Sequence, residues 1–196
     1  MGYAAVRTGM SEQEYLAFER ASAEKHEYAN GEIFAMSGGT GEHSAISANI
    51  IREVGNALFG RGCRVHTSDM RINISPAGRY VYPDASIVCA RPEYTDDSRD
   101  TLVNPLVIVE VLSDSSEAYD RGDKFAQYQT IASLAEYVLA SQKKPRIEVF
   151  TRQTDGSWLL RVNGPGERAG LSSVECSIDV DRVYTDVFEI AAAGEA

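Results

Sequence analysis

Cysteine is scarce. The chain has Cys63, Cys89 and Cys176, and no two of them form a CxxC pair. That argues against a zinc ribbon or a disulfide framework, so free thiols in a reducing compartment are expected. Histidine is equally sparse, at His26, His43 and His66. His26 and His66 lack ligand spacing with any second histidine, and GEHSA lacks the paired histidine of HExxH, which excludes that metalloprotease arrangement. Positive charge is also short. The 19 Lys and Arg face 29 Asp and Glu, a formal net charge of −10. Affinity for phosphate backbones comes largely from Lys and Arg, so tight unassisted binding to nucleic acid is not expected. MGYAAVRTGM has no signal-peptide core, and no apolar run approaches the length that spans a bilayer. A cytoplasmic location is the resulting expectation. Ser37-Gly38-Gly39-Thr40-Gly41 is glycine-rich but lacks the Gly-Lys-Ser/Thr of a nucleotide loop; it reads as a flexible connection near a cleft.

What is present suits one domain. The 196 residues are 43% hydrophobic and 24% charged, enough to bury a core and too apolar for a disordered chain. Residues 1–10 and 189–196 read as loose tails around a domain over 11–188. Ser11 with Glu14 makes a capping box, followed by a short helix with Tyr15, Leu16 and Phe18 inward. Asn30-Gly31 marks a hairpin turn. Ile46, Ile50, Val54 and Leu58 recur every four residues and predict a helix from Thr40 to Phe59, ended by Gly60 and Gly62. CRVHTSDMRINIS, RYVYPDASIVCA and LVIVEVLS read as strands, with a helix from Asp120 to Ser133 after them. EYVLAS, PRIEVFTRQ and SWLLRVNG are further strand candidates. The pattern predicts an α/β fold, a central mixed β-sheet flanked by α-helices.

Two strand candidates each hold one acid among apolar residues. In LVIVEVLS the side chains of Ile108, Glu110 and Leu112 share one face, and Val107, Val109 and Val111 share the other. A continuous apolar run of this kind belongs to a strand covered on both sides. An isolated carboxylate there costs several kcal/mol or takes up a proton, on an order-of-magnitude argument. Glu110 therefore needs a partner. Asp84, behind Pro83 in RYVYPDASIV, repeats the anomaly. Each acid alone has a structural explanation, Asp84 as a turn cap and Glu110 as the partner of an arginine. Two together favour a site for a hard divalent cation such as Mg²⁺, which takes oxygen ligands. Lys124, in YDRGDKFAQY, lies at the start of the next helix and can reach the acids; the alternative is a lysine facing solvent. Arg121 is a second cation beside it.

The combination of YPDASIV, VIVEVLSDSS and YDRGDKFAQY, preceded by EYANGEIFAMSGG and His43, resembles the Uma-type restriction endonuclease family of the PD-(D/E)XK nuclease superfamily. The similarity runs from about Ser11 to Phe188. It implies a restriction-endonuclease-like core and a metal-dependent endonuclease or phosphodiesterase. Pro83-Asp84 matches the PD element and Glu110 the second acid. Glu27 matches an N-terminal acid that joins the site, so the implied metal ligands are Asp84, Glu110 and Glu27, with Mg²⁺ or Mn²⁺ as cofactor. The superfamily pattern places lysine at position 112, where this chain has Leu112; Lys124 is the displaced substitute. Asp84, Glu110 and Lys124 are the expected catalytic residues, and His43 and Arg121 the expected contacts to substrate. His43 also has a local reading, as a histidine bonded at a helix start. The expected partner is nucleic acid, DNA first, with a homodimer to cut two strands. A non-catalytic relative serving as a nucleic-acid-binding or protein-interaction subunit is the alternative. A sugar-cleaving acid pair is disfavoured by the lysine and the aliphatic surroundings.

Overall fold

Helix α1 (Glu12–Ala21) starts where the sequence predicts. The Ser11 hydroxyl accepts from the Glu14 N–H, and the Glu14 carboxylate accepts from the Ser11 N–H at 2.8 Å. Tyr15 is fully buried, whereas Leu16 and Phe18 are only partly covered. The chain then forms a hairpin of β1 (His26–Ala29) and β2 (Glu32–Ala35). Its turn residues Asn30 and Gly31 have φ of 48° and 93°, the left-handed pair that a two-residue hairpin demands. The computed structural model describes residues 5–188, apart from the side chain of Pro76. Within that range the segment expected as a loose N-terminal tail is tied down. Val6 N–H donates to Ile33 O at 2.8 Å and Met10 N–H to Gly31 O at 3.0 Å. The other expected tail, 189–196, lies outside the described residues.

Helix α2 (Gly41–Leu58) buries Ile46, Ile50, Val54 and Leu58, the stripe read from their spacing. Two segments expected as single strands are each divided. CRVHTSDMRINIS becomes β3 (Cys63–Thr67) and β4 (Arg71–Ile74), with a turn at Met70 N–H to Thr67 O. RYVYPDASIVCA becomes β5 (Arg79–Val81) and β6 (Ala85–Cys89), broken at Tyr82-Pro83-Asp84. Proline has no N–H to donate to a ladder, so pairing stops there. The halves belong to different sheets. A five-stranded sheet runs β2-β1-β5-β4-β7, with β7 at Thr101–Leu102.

The central sheet is six-stranded and contains β8 (Val107–Leu112), β9 (Glu136–Ser141), β10 (Ile147–Arg152) and β11 (Trp158–Asn163). Its order is β11-β10-β9-β8-β6-β3, and only β8 and β9 are parallel. One face packs on α2, on the hairpin of β12 (Arg168–Leu171) and β13 (Cys176–Asp179), and on a last turn at Val180–Val183. The other face carries Ile108, Leu112 and Leu139 against Phe125, Tyr128 and the strands of the first sheet. Both faces of β8 are therefore covered, and all six of its residues are buried. The helix expected over Asp120–Ser133 begins earlier and ends earlier. It is built of Glu117–Tyr119, a π-helical stretch Asp120–Lys124, and Phe125–Tyr128. Arg152 stops it by donating to the carbonyls of Gln129 and Ile131.

The cysteine expectation fails at two positions. The antiparallel register sets Cys63 directly opposite Cys89, and a disulfide joins them; Cys176 alone is free. Register, which linear spacing does not reveal, brings them together. Among the described residues no helix is long and apolar enough to cross a membrane.

An ion-pair cluster ties α1 to the loop before β7. Arg20 meets Asp100 at 2.8 Å and Asp96 at 2.7 Å, and Arg71 meets Asp100 at 3.1 Å. The Arg20 guanidinium lowers the Asp100 carboxyl to about 2. A carboxylate depressed in the folded state contributes stability that is complete above its unfolded value of about 3.9. That contribution disappears as pH falls toward about 2. Asp100 is partly exposed, so after solvent screening Asp100→Asn is expected to cost about 1 kcal/mol at pH 7. Urea midpoints should show the gap between wild type and variant closing between about pH 4 and pH 2.

Candidate active site

The register places the two anomalous acids side by side. Ala85 pairs with Val109 and Ser86 with Ile108, so the antiparallel ladder continues to set Asp84 opposite Glu110. Cross-strand partners share a face of the sheet. It is the face carrying Ile108 and Leu112, where Lys124 and Tyr128 also arrive. Asp84 sits at the corner just before β6 rather than inside a strand, which leaves it open to a cleft of about 930 Å³ that Glu110, Glu27, His43, Asp120 and Lys124 also line.

Each acid is held by one oxygen. Asp84 Oδ2 accepts from the Val111 N–H at 2.7 Å and lies 3.4 Å from His43 Nε2. Glu110 Oε1 lies 2.8 Å from Lys124 Nζ in an ion pair and accepts from the Tyr128 hydroxyl at 2.8 Å. Among the described residues no hydrogen bond engages Asp84 Oδ1 or Glu110 Oε2. Two hard oxygen donors, each fixed through its neighbour atom, fit an ion that needs one or two carboxylates and completes its shell with water and phosphate. The three-ligand set expected from the sequence is not assembled. Among the described residues no three Asp, Glu, His or Cys side chains are grouped to hold a metal ion. Glu27 instead faces Lys124, Oε1 to Nζ 3.6 Å.

Lys124 is 5% exposed and lies among three acids, the third being Asp120 at 3.6 Å. Burial pushes the Glu110 carboxyl well above its ordinary range, against the pull of Lys124, and Asp120 and Asp84 add to the rise. Burial works against the Lys124 ammonium too, yet Glu110, Tyr128, Glu27 and Asp120 more than offset it and hold that proton tightly. Three acids on one lysine, with Asp84 across from Glu110, leave the cluster short of positive charge. Asp120 was not read from the sequence. Its position four residues before Lys124 was the available signal, because both side chains of an i, i+4 pair project from one helix face.

His43 stands on the first turn of α2, with its N–H bonded to the Thr40 hydroxyl at 3.2 Å. The Asp84 carboxylate beside it raises its imidazole above the ordinary value. Arg121 is not brought to the cleft. Its guanidinium binds the buried Glu148 through two bonds, at 2.7 and 2.9 Å, and Glu117 at 3.0 Å. The π-helical turn separates it from Lys124, and β10 supplies its partner. Tyr184 packs at the sheet end with its hydroxyl on two carbonyls, and Trp158 meets Phe125 edge-on; both serve packing.

Comparison with known proteins agrees with this architecture. The chain is 38% identical over 180 residues to the uncharacterised protein slr1290 of Synechocystis sp. (strain ATCC 27184 / PCC 6803 / Kazusa), covering 89% of this chain and 91% of that protein. It is 36% identical over 147 residues to sll1609 of the same organism, covering 75% and 83%. A crystal structure described as a "putative nuclease belonging to DUF820", from Anabaena variabilis ATCC 29413, superposes with a TM-score of 0.73 at 15% identity, over 91% of this chain and 99% of that one. That likeness establishes a shared fold. Residues 12–181 match the family Uma2, described as "Putative restriction endonuclease", and the chain belongs to that family.

Proposed function

We propose that the protein is a metal-dependent endonuclease that hydrolyses phosphodiester bonds in nucleic acid, DNA first. The observation that carries this reading is the pairing of Asp84 with Glu110 on one sheet face, with Lys124 2.8 Å from Glu110 at the wall of an open cleft. Asp84 and Glu110 would hold Mg²⁺ or Mn²⁺ through their unengaged oxygens. Such an ion supplies charge neutralisation at the phosphate and acidifies water.

The remaining work falls to the chain. The Val111 N–H fixes Asp84, while Tyr128 and Lys124 fix Glu110, so little freedom is lost when a ligand binds. Lys124, charged and almost wholly buried, orients the attacking water and offsets negative charge growing on the phosphate. His43, protonated more readily beside Asp84, donates to a non-bridging phosphate oxygen. Glu27 and Asp120 hold the ammonium in place from its other sides. Two copies acting together would cut both strands of a duplex inside the cell.

The test is cleavage of supercoiled and single-stranded DNA with Mn²⁺, together with Mn²⁺ binding by calorimetry. Asp84→Ala and Glu110→Ala are each expected to lower cleavage by on the order of 100-fold or more. Asp84→Asn is expected to weaken Mn²⁺ binding. Cleavage that survives both alanine variants would defeat the assignment. DNA binding without hydrolysis or bound metal is the result expected of a non-catalytic relative.

A further inference from the structure

The cleft is hostile to a polyanion. Six carboxylates line it against two lysines, with no arginine. Both lysines are already paired, Lys124 with Glu110 and Lys25 with Asp69 at 2.6 Å. A phosphodiester chain must therefore find its cations at the rim.

Two adjacent lysines stand at one place on that rim. The turn from β9 to β10 reads SQKKPR, and Lys143 and Lys144 are two of the chain's four lysines. The parallel register sets Ser141 beside Leu112, so this turn lies next to the Ser113–Ser116 loop at the cleft wall. Lys143 Nζ joins the two loops by meeting Asp114 at 2.6 Å and Glu117 at 3.8 Å; its side chain is 58% exposed, so a phosphate can exchange for these carboxylates. Lys144 is exposed, and no carboxylate pairs with it among the described residues. Gln142 lines the cleft, and its Oε1 has no hydrogen-bond partner among the described residues.

The turn is also held in shape. Ser141 N–H donates to Arg146 O at 3.0 Å, and the Tyr184 hydroxyl lies 2.7 Å from Ser141 O and 2.8 Å from Arg146 O. Pro145 lies within it. A preorganised turn loses little entropy on binding. We infer that the Gln142–Arg146 turn is the polynucleotide-binding rim, where Lys143 and Lys144 hold phosphates flanking the one in the cleft. This inference rests on the nuclease reading for the identity of its polyanion. The ligand is a phosphodiester chain of several nucleotides rather than an acidic protein, because the rim continues directly into a site with two carboxylates open to a hard cation.

Binding of a labelled DNA oligonucleotide, followed by fluorescence anisotropy with Ca²⁺ at several salt concentrations, tests the rim alone. K143Q/K144Q is expected to bind about tenfold more weakly, with a salt dependence shallower by about two released counterions. Unchanged affinity and slope in the variant would overturn the inference, and so would a wild type that does not bind. Poly-glutamate that displaces the oligonucleotide as well as unlabelled DNA does would also overturn it, by pointing to an acidic protein. The ratio of DNA cleavage to hydrolysis of bis(4-nitrophenyl) phosphate, which fills only the cleft, should fall about tenfold in step with binding. If the wild type hydrolyses neither substrate while the binding effect holds, the nuclease reading fails and the rim stands. Hydrolysis of both with an unchanged ratio in the variant has the opposite meaning.

Discussion

Lys124→Met is expected to destabilise the protein by about 3–5 kcal/mol and to lower phosphodiester hydrolysis by on the order of 100- to 1000-fold. The stability loss follows from what remains. Lys124 and Glu110 are 5% and 4% exposed, and Asp120 is 3% exposed. Removing the ammonium leaves Glu110, Asp120 and Glu27 around a thioether that offers them no donor. A buried pair broken on one side costs far more than the pair itself contributes, because the surviving charge is neither solvated nor matched. The two effects can be separated. Lys124→Met with Glu110→Gln removes both charges and keeps the Tyr128 hydroxyl next to an amide oxygen. The double variant should regain most of the lost stability, read as the urea midpoint, and none of the hydrolysis. A single variant as stable as wild type would mean that water reaches the cluster freely.

Glu136→Ala is expected to cost about 3–4 kcal/mol without any tie to the cleft. Glu136 is fully buried at the start of β9, beside Val107, at the opposite end of the sheet from Ser113. One carboxylate oxygen accepts from the Ser172 N–H at 2.8 Å and from its hydroxyl at 3.0 Å. The other accepts from the Ser173 N–H at 3.3 Å and from the Ser173 hydroxyl. This clasp fastens the β12–β13 hairpin to the central sheet. Truncation leaves these four donors, and the more distant Thr151 hydroxyl at 3.5 Å, without that acceptor, and an unmet buried donor costs about 1–3 kcal/mol before relaxation. For a chain of this size the melting temperature should drop by roughly 8–12 °C. Glu136→Gln keeps one acceptor oxygen and should lose about half as much. A melting temperature within a degree or two of wild type for the alanine variant would mean that the serines find other acceptors.

The chain pattern made the site legible wherever charge broke an apolar run. Glu110 and Asp84 stand out in one dimension because hydrocarbon neighbours make a carboxylate anomalous. Asp120 does not stand out, since YDRGD is polar throughout and nothing in it marks one acid as buried. Arg121 was misplaced for a related reason. Sequence distance puts it beside Lys124, but the π-helical turn and Glu148 on β10 decide where it points. The mixed sheet with helices was legible from alternation and four-residue spacing. Its division into two sheets was not. A strand that turns a corner at Pro83 and a strand that ends read alike until the partner strands are known. The Cys63–Cys89 bond was hidden in the same way, because only the register of β3 on β6 reveals it.

The corner at Tyr82-Pro83-Asp84 makes Asp84 the elbow between two layers. Glu110, by contrast, is bolted inside the central one. Any sliding of one layer over the other therefore loads the Val111 N–H bond that holds Asp84 opposite Glu110. If the proposed metal site is real, substitutions far away, in the packing of Tyr15 on α1 against Tyr28 and Tyr80, should retune Mn²⁺ affinity measured by calorimetry without touching the cleft.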